Sequence, residues 1–343
     1  MKHIEISKRI FHFKQPAGTS RGIYTTRQSY FLTLTDDGMP GIKGVGECAP
    51  LPKLSCDDLP DYETILHQIC KLVESTDKIP YALLRSYPSI LFGLETAFAQ
   101  FNAHGSTMLF DTPFGRGEEG IRINGLVWMG SFDEMAERLE AKLRQGFHCV
   151  KLKIGAIDFE KEIELIRHIR ESFDKCQVEL RVDANGAFTP KNALQHLETL
   201  AKYDIHSIEQ PIKQHQWEDM AHLCTASPLP IALDEELIGV NVAAMKEALL
   251  DTIRPQYIVL KPSLHGGMRG TEEWIRLAHT RGIGSWITSA LESNVGLNAI
   301  AQLCAKVYGP HVSTPQGLGT GLLFTDNITM PLTIRGDEMW ITQ

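Results

Sequence analysis

The 343-residue chain has no surplus of basic charge: 34 Lys and Arg stand against 42 Asp and Glu, for a formal net charge of −8. Nothing in that balance would displace the counterions of a polyanion, which argues against nonspecific nucleic-acid binding. No apolar run approaches the roughly 18–20 residues of a membrane span. The first ten residues mix charges with apolar side chains and lack the core of a signal peptide. The seven cysteines are odd in number, scattered, and form no C-x-x-C pair. They point to a reducing, cytosolic compartment, with most of them serving as small core residues. The thirteen histidines show no H-E-x-x-H or other paired spacing, and the glycines of 265–270 and 317–321 match neither a dinucleotide fingerprint nor a Walker loop. Asn327-Ile328-Thr329 matches a glycosylation sequon, which carries little weight without an export signal. Low-complexity segments are absent too. What remains is 43% hydrophobic and 22% charged, ordinary for a globular protein with room for about two domains.

One pattern organises most of the chain: an apolar, β-type run that stops abruptly in polar residues. Leu180-Arg181-Val182 ends in Asp183, Ala184 and Asn185; Ser207-Ile208 ends in Glu209, Gln210 and Pro211. Ile231-Ala232-Leu233 ends in Asp234, Glu235 and Glu236; Ile258-Val259-Leu260 ends in Lys261; Trp286-Ile287-Thr288 ends in Ser289; Cys149-Val150 runs into Lys151-Leu152-Lys153. Successive ends lie about 30, 26, 25, 27 and 28 residues apart, roughly one strand–loop–helix unit of an α/β barrel. Six polar strand ends would then converge on one rim, where such barrels carry their chemistry.

The first third reads differently. Alternation predicts a strand over 3–13, and the breakers of 14–22 predict a mobile loop. Strands follow over 27–35 and 41–47 around an Asp36-Asp37-Gly38 turn, then an irregular loop at 49–55 and helices near 57–75 and 88–105. The alternating part opens with a strand over 121–129 and predicts helices at 131–146, 158–173, 189–202, 215–226, 240–250, 267–281 and 294–307. The fold class is therefore α/β: a modified TIM-type (β/α)7β barrel over 120–309, with an α+β capping domain over 1–119. The tail 310–343, with strand-like segments at 328–334 and 338–342, is expected to return to the capping domain.

Asp183, Glu209 and Asp234 come from three consecutive barrel strands. Adjacent strands lie about 4.8 Å apart, so these carboxylates meet near one point. Their mutual repulsion calls for a cation between them, and an oxygen-only set favours Mg²⁺, with Mn²⁺ as a second choice. Lys151 and Lys153 share one strand face, and Lys261 stands across the barrel mouth. A lysine acting as base on a carbon acid must be neutral, whereas a free lysine titrates near 10.4. Neighbouring cations favour the neutral form. The bland alternative is that the acids cap helices and the lysines pair with them structurally.

This arrangement closely resembles the enolase superfamily, in particular its muconate-lactonizing subgroup, through Lys151-Leu152-Lys153, Asp183-Ala184-Asn185, Glu209-Gln210-Pro211, Asp234-Glu235 and Lys261-Pro262. The superfamily pairs a Lys or His base with Mg²⁺ that stabilises an enediolate. Within the subgroup, the o-succinylbenzoate synthase family is the nearest resemblance. It is carried by 46–52 with Ser55, the Thr26-Arg27 step, 289–293 with Gly296-Leu297, and Gly317-Leu318-Gly319-Thr320. Gln210 and Glu236 depart from the Glu and Ser more usual there. The resemblance implies syn-dehydration of 2-succinyl-6-hydroxy-2,4-cyclohexadiene-1-carboxylate to 2-succinylbenzoate in menaquinone biosynthesis. It also implies that Lys153 is the base, Lys261 the stabilising cation and Lys151 an aid to charge balance. Asp183, Glu209 and Asp234 are the implied metal ligands, with Asn185 and Glu235 orienting them. Ser289, Ala290, Leu291, Glu292 and Arg27 are expected at the dicarboxylate substrate, with 14–28 and 48–55 folding over the barrel mouth as lids. An N-acyl (N-succinyl) amino acid racemase or a muconate-type cycloisomerase would use the same metal and lysines. A noncatalytic carboxylate-binding barrel would have no use for two buried amines.

Overall fold

The computed structural model describes residues 1–19 and 22–342. Three antiparallel strands open the chain, β1 (Lys2–Thr19), β2 (Gly22–Asp36) and β3 (Gly44–Cys48), in the order β1-β2-β3. The expected loop at 14–22 is a correction: β1 runs through it as far as Thr19 and pairs Ala17 with Tyr24. Ser20 and Arg21 of that loop lie outside the described residues. A register shift between His12 and Ala17 lifts Pro16 out of the ladder, and β1 is an edge strand, where Pro and Gly are tolerated.

Helices α1 (Tyr62–Thr76), α2 (Tyr81–Leu84) and α3 (Pro88–Asn102) cover the sheet. The α3 helix lies flush on β3 because glycines meet there. A Cβ on Gly46 would stand 1.8 Å from the Gly93 carbonyl oxygen, and one on Gly93 would stand 2.3 Å from Cys48 Sγ. The strand β4 (Ile121–Arg122) precedes the barrel.

The barrel strands are β5 (Gly125–Val127), β6 (Cys149–Lys153), β7 (Glu179–Asp183), β8 (Ser207–Glu209), β9 (Ile231–Leu233), β10 (Tyr257–Leu260) and β11 (Gly284–Ile287), adjacent in chain order and parallel. Between them run α4 (Phe132–Arg144), α5 (Phe159–Ser172), α6 (Ala193–Leu200), α7 (Trp217–Ala226), α8 (Ala243–Ile253), α9 (Gly267–His279) and, after β11, α10 (Asn294–Tyr308). Their apolar faces pack on the strands in one large core. The α4 helix starts at a capping box, Ser131 and Glu134 each bonding the other's backbone N–H.

Closure comes from the tail. Gln316 bridges Ile123 and Gly317 bridges Thr288, both parallel, so this pair is the short eighth stave between the two open edges. The Gln316 side chain accepts from the Ile287 N–H at 2.7 Å and donates to the Thr314 carbonyl at 2.8 Å. The tail also reaches the first sheet, through the Phe13–Phe324 bridge, the Lys14 N–H on the Leu323 carbonyl, Asp326 accepting from the His12 N–H at 2.9 Å, and Ile328 and Met330 packed with Phe11 and Phe31. Its last strands, β12 (Leu332–Arg335) and β13 (Glu338–Ile341), pair with each other, and β13 pairs in turn with β4. The tail thus joins both the barrel and the first sheet. No helix among the described residues is long and apolar enough to cross a membrane.

Candidate active site

Register puts the charges together. Lys153 on β6 pairs with Asp183 on β7, and Asp183 pairs with Glu209 on β8. Glu209 faces Ala232, and Asp234 lies two residues beyond on the same face. Side chains two apart on these strands point into the barrel, so Lys151 and Lys153 stack on the inward face of β6. Below them the interior is filled by Ala232, Val259 and Trp286, with the Arg181 guanidinium 4.3 Å from the Trp286 ring.

Lys151 Nζ contacts Glu209 at 2.7 Å and 2.9 Å and Asp183 at 3.0 Å. Lys153 Nζ donates to Asp183 at 2.8 Å and to Asn185 Oδ1 at 2.7 Å. Across the mouth, Lys261 Nζ bonds Asp234 Oδ2. Asn185 passes the network on, its amide donating to Glu235 at 2.9 Å. All four carboxylates are buried.

Their surroundings push them apart. Burial would raise Asp183, but Lys151 and Lys153 outweigh it and hold the group well below the usual carboxylate range. Burial and then Asp183 push Glu209 up to about 8; burial and then Asp234 push Glu235 up to about 7. Burial pulls Lys151 and Lys261 down, yet the acids prevail and both end above the ordinary lysine value. Four carboxylates thus crowd around three lysine side chains, and that crowding bears most on Glu209 and Glu235.

The expected metal ligands Asp183, Glu209 and Asp234 lie among the lysines. Among the described residues no three His, Cys, Asp or Glu side chains form a ready cage for an ion, because Lys151 lies between Asp183 and Glu209 while Lys261 takes Asp234. The donors nevertheless suit a hard divalent cation. They are all oxygens, from carboxylates that outnumber the lysines around them. Asp234 Oδ1 and Glu235 Oε2 are also buried without a hydrogen-bond partner among the described residues.

Lys151, Lys153, Asp183, Asn185, Glu235 and Lys261 line one cavity with Ser289, Ala290 and Leu291. Its roof is Tyr24 of β2 together with Leu51 and Leu54, so the expected lid segments do cover the mouth. Two expected substrate contacts are absent from that lining. Arg27 is buried and spends its guanidinium on the carbonyls of Ala49, Pro50 and Leu291. Glu292 is buried and accepts from Ser263 Oγ and the Ala290 N–H. Backbone groups, and for Glu292 the Ser263 hydroxyl as well, take up both side chains.

Other residues went unread in the sequence. Trp128, Trp286, Thr288 and Thr320 also line the cavity, and Thr320 bonds Ser289 Oγ at 2.6 Å. His265 Nδ1 accepts from the Lys261 N–H at 2.9 Å, and burial lowers this imidazole to about 3, which keeps it a neutral acceptor. Its spacing of four from Lys261 was the available signal. The two departures from the family pattern prove to be partners. Gln210 Nε2 donates to Glu236 Oε2 at 3.3 Å, while its Oε1 accepts from the N–H groups of Asp234 and Glu236, at 3.2 Å each. A Glu at 210 would set two carboxylates face to face; an amide instead both donates and accepts, and fixes the turn that presents Asp234.

Residues 134–339 match the enolase C-terminal domain-like family. The chain is 47% identical, over 96% of each sequence, to an o-succinylbenzoate synthase of Desulfotalea psychrophila. The crystal structure of MenC from that organism superposes with a TM-score of 0.83 at 42% identity, covering 99% of both chains. A substrate-liganded L-Ala-D/L-Glu epimerase from Bacillus subtilis shares the fold at 23% identity and a TM-score of 0.83, over 99% of this chain and 95% of that one. So does a dipeptide epimerase from Enterococcus faecalis, solved with Mg and a dipeptide, at 18% identity and a TM-score of 0.84, over 99% and 96%.

Proposed function

The chain belongs to the enolase superfamily and, within it, to the o-succinylbenzoate synthase family, and from that premise we infer that it is a lyase. It removes water from 2-succinyl-6-hydroxy-2,4-cyclohexadiene-1-carboxylate to give 2-succinylbenzoate. The observation that carries the reading is the placement of Lys153 and Lys261 on one cavity, with the acids of consecutive staves between them.

Lys153, as the neutral amine, takes the proton from the carbon α to the ring carboxylate and becomes an ammonium. The electrons of that C–H bond stay on the carboxylate as an enediolate, and the Lys261 ammonium across the cavity stabilises them. Lys153 then gives the proton to the departing hydroxyl, the C–O bond breaks, and water leaves as the ring becomes aromatic. One residue serving both steps makes the elimination syn. General acid–base transfer of this kind supplies about 10²–10⁴-fold in rate. Lys151 beside Lys153 balances charge. Asn185 holds Lys153 and Glu235 in one network.

Asp183, Glu209 and Asp234 are the residues that would hold a divalent ion, Mg²⁺ by the hardness of the donors. When bound, that ion supplies Lewis-acid stabilisation of developing negative charge on the substrate. Ser289, with Ala290 and Leu291, is placed to receive the succinyl end. In this division of labour, 1–119 with part of the tail covers the cavity and 120–309 supplies the chemistry. The partner is a small dicarboxylate and the setting the cytosol, where menaquinone precursors are made.

The test is dehydration of the cyclohexadiene substrate with and without a chelator, beside N-succinyl amino acids. Fast, chelator-sensitive loss of water supports the reading. Racemisation of N-succinyl amino acids with no dehydration would replace it by the second reading, which the facing lysines also serve.

A further inference from the structure

Leu291 lines the cavity with φ at +65°. An L residue other than Gly, Asn or Asp adopts that conformation only where its surroundings enforce it. The enforcing groups come largely from the capping sheet. Arg27 of β2 donates from Nε to the Leu291 carbonyl at 3.3 Å, and from its other nitrogens to the carbonyls of Ala49 and Pro50, which lead into the roof residues Leu51 and Leu54. Glu47 of β3 reaches into the start of α10. It accepts from the Ser293 N–H at 2.9 Å, Ser293 Oγ at 2.6 Å and the Gly296 N–H at 2.9 Å, while Ser29 Oγ holds its near side at 2.6 Å. A Cβ on Gly296 would stand 2.7 Å from Glu292 Cβ and 2.9 Å from Glu47 Oε2, so glycine makes room for both acids there. Inside the barrel, Glu292 takes the Ala290 N–H at 2.7 Å. Arg27, Glu47, Glu292 and Ser293 are all buried, and none lines the cavity.

We propose that Arg27 and Glu47 are positioning residues: the cap grips the backbone on either side of Leu291, holds it in its left-handed conformation, and so fixes the cavity wall that receives the end of the substrate remote from Lys153. The kinetic consequence rests on the dehydratase reading; the mechanical one does not. Because the wall touches the non-reacting end, loosening it removes binding felt equally by ground and transition states, which raises KM and spares kcat.

Two arms keep the claims separate. Amide hydrogen exchange over 288–296, measured without substrate, reads the mechanical claim. Arg27→Lys and Ser293→Ala are expected to speed exchange at 290–293 by about tenfold or more. Leu291→Asn, which tolerates a positive φ, is expected to restore protection in the Arg27→Lys background. Glu95→Gln weakens a cap-to-barrel contact of the same kind at α9 and should leave 290–293 protected. In the kinetic arm, Arg27→Lys is expected to raise KM about tenfold with kcat within about threefold. Unchanged exchange at 290–293, no restoration by Leu291→Asn, or equal loosening by Glu95→Gln would overturn the proposal. A fall in kcat at constant KM would overturn its kinetic half. A wild-type protein that does not dehydrate the substrate would sink the functional reading and leave the exchange arm to decide the rest.

Discussion

In the barrel, Asp183, Glu209 and Asp234 are buried against ammonium groups; in the cap, Glu47, Asp57 and Glu95 are as deeply buried yet take their hydrogen bonds from neutral donors. Each cap carboxylate sits at a helix start. Asp57 accepts from Ser89 N–H and Oγ at the head of α3, Glu95 from the Met268 and Arg269 N–H groups at α9, and Glu47 from the first turn of α10. Burial pushes Asp57 up to about 6 and Glu95 up to about 7, whereas Asp183 is held low by its two lysines. The difference separates charge kept for chemistry from charge used as mortar. Two of the three cap acids, Glu47 and Glu95, bond helix starts of the barrel and help to dock the cap on it.

The sharpest way to break this contrast is Asp183→Asn. It strips two lysines of a shared partner, and removing one member of a buried ion pair costs about 3–5 kcal/mol. Denaturant unfolding in chelator should show that loss, and calorimetry should show weakened divalent-ion binding. A variant as stable as wild type would mean the lysines need no counter-charge. Next in size is Gln210→Glu, which sets a carboxylate against Glu236 and forfeits a buried amide donor, at about 1–3 kcal/mol. Adding Glu236→Ser should recover most of the loss in a double-mutant cycle; additive losses would show that the two positions are independent.

The smallest effect concerns pH. Glu95 has a folded value near 7, above its ordinary 4.5, so its contribution is fully present below about pH 4.5 and is lost as pH rises through 7. Glu95→Gln mimics the protonated form. Its stability should therefore fall less than that of wild type between pH 5 and 8, by on the order of 1–2 kcal/mol. Parallel curves would show that Glu95 is not strained by burial.

Much of the barrel was legible because two periods coincide. Apolar runs ending in charge at intervals of 25–30 residues mark the staves, and the helical faces between them mark the rest; all seven parallel strands and their helices stand where those periods put them. The inward convergence of Lys151, Lys153, Asp183 and Glu209 followed from alternation along strands and matching heights. What stayed hidden was set by long-range contact. The eighth stave is two residues, Gln316 and Gly317, too short for any pattern. The arm at 14–19 carries Pro and Gly that locally spell a loop, and only pairing with β2 makes it a strand. Arg27 and Glu292 have the chemistry of substrate ligands, and nothing local says that backbone carbonyls and N–H groups claim them first.

The central claim is that Lys153 moves the proton. Its most direct measurement is the dehydration rate of Lys153→Ala beside wild type, both folded and saturated with Mg²⁺. The expected result is a fall in kcat of about 10²–10⁴-fold with divalent-ion affinity retained. A variant that still dehydrates the substrate at the wild-type, metal-dependent rate would contradict the assignment.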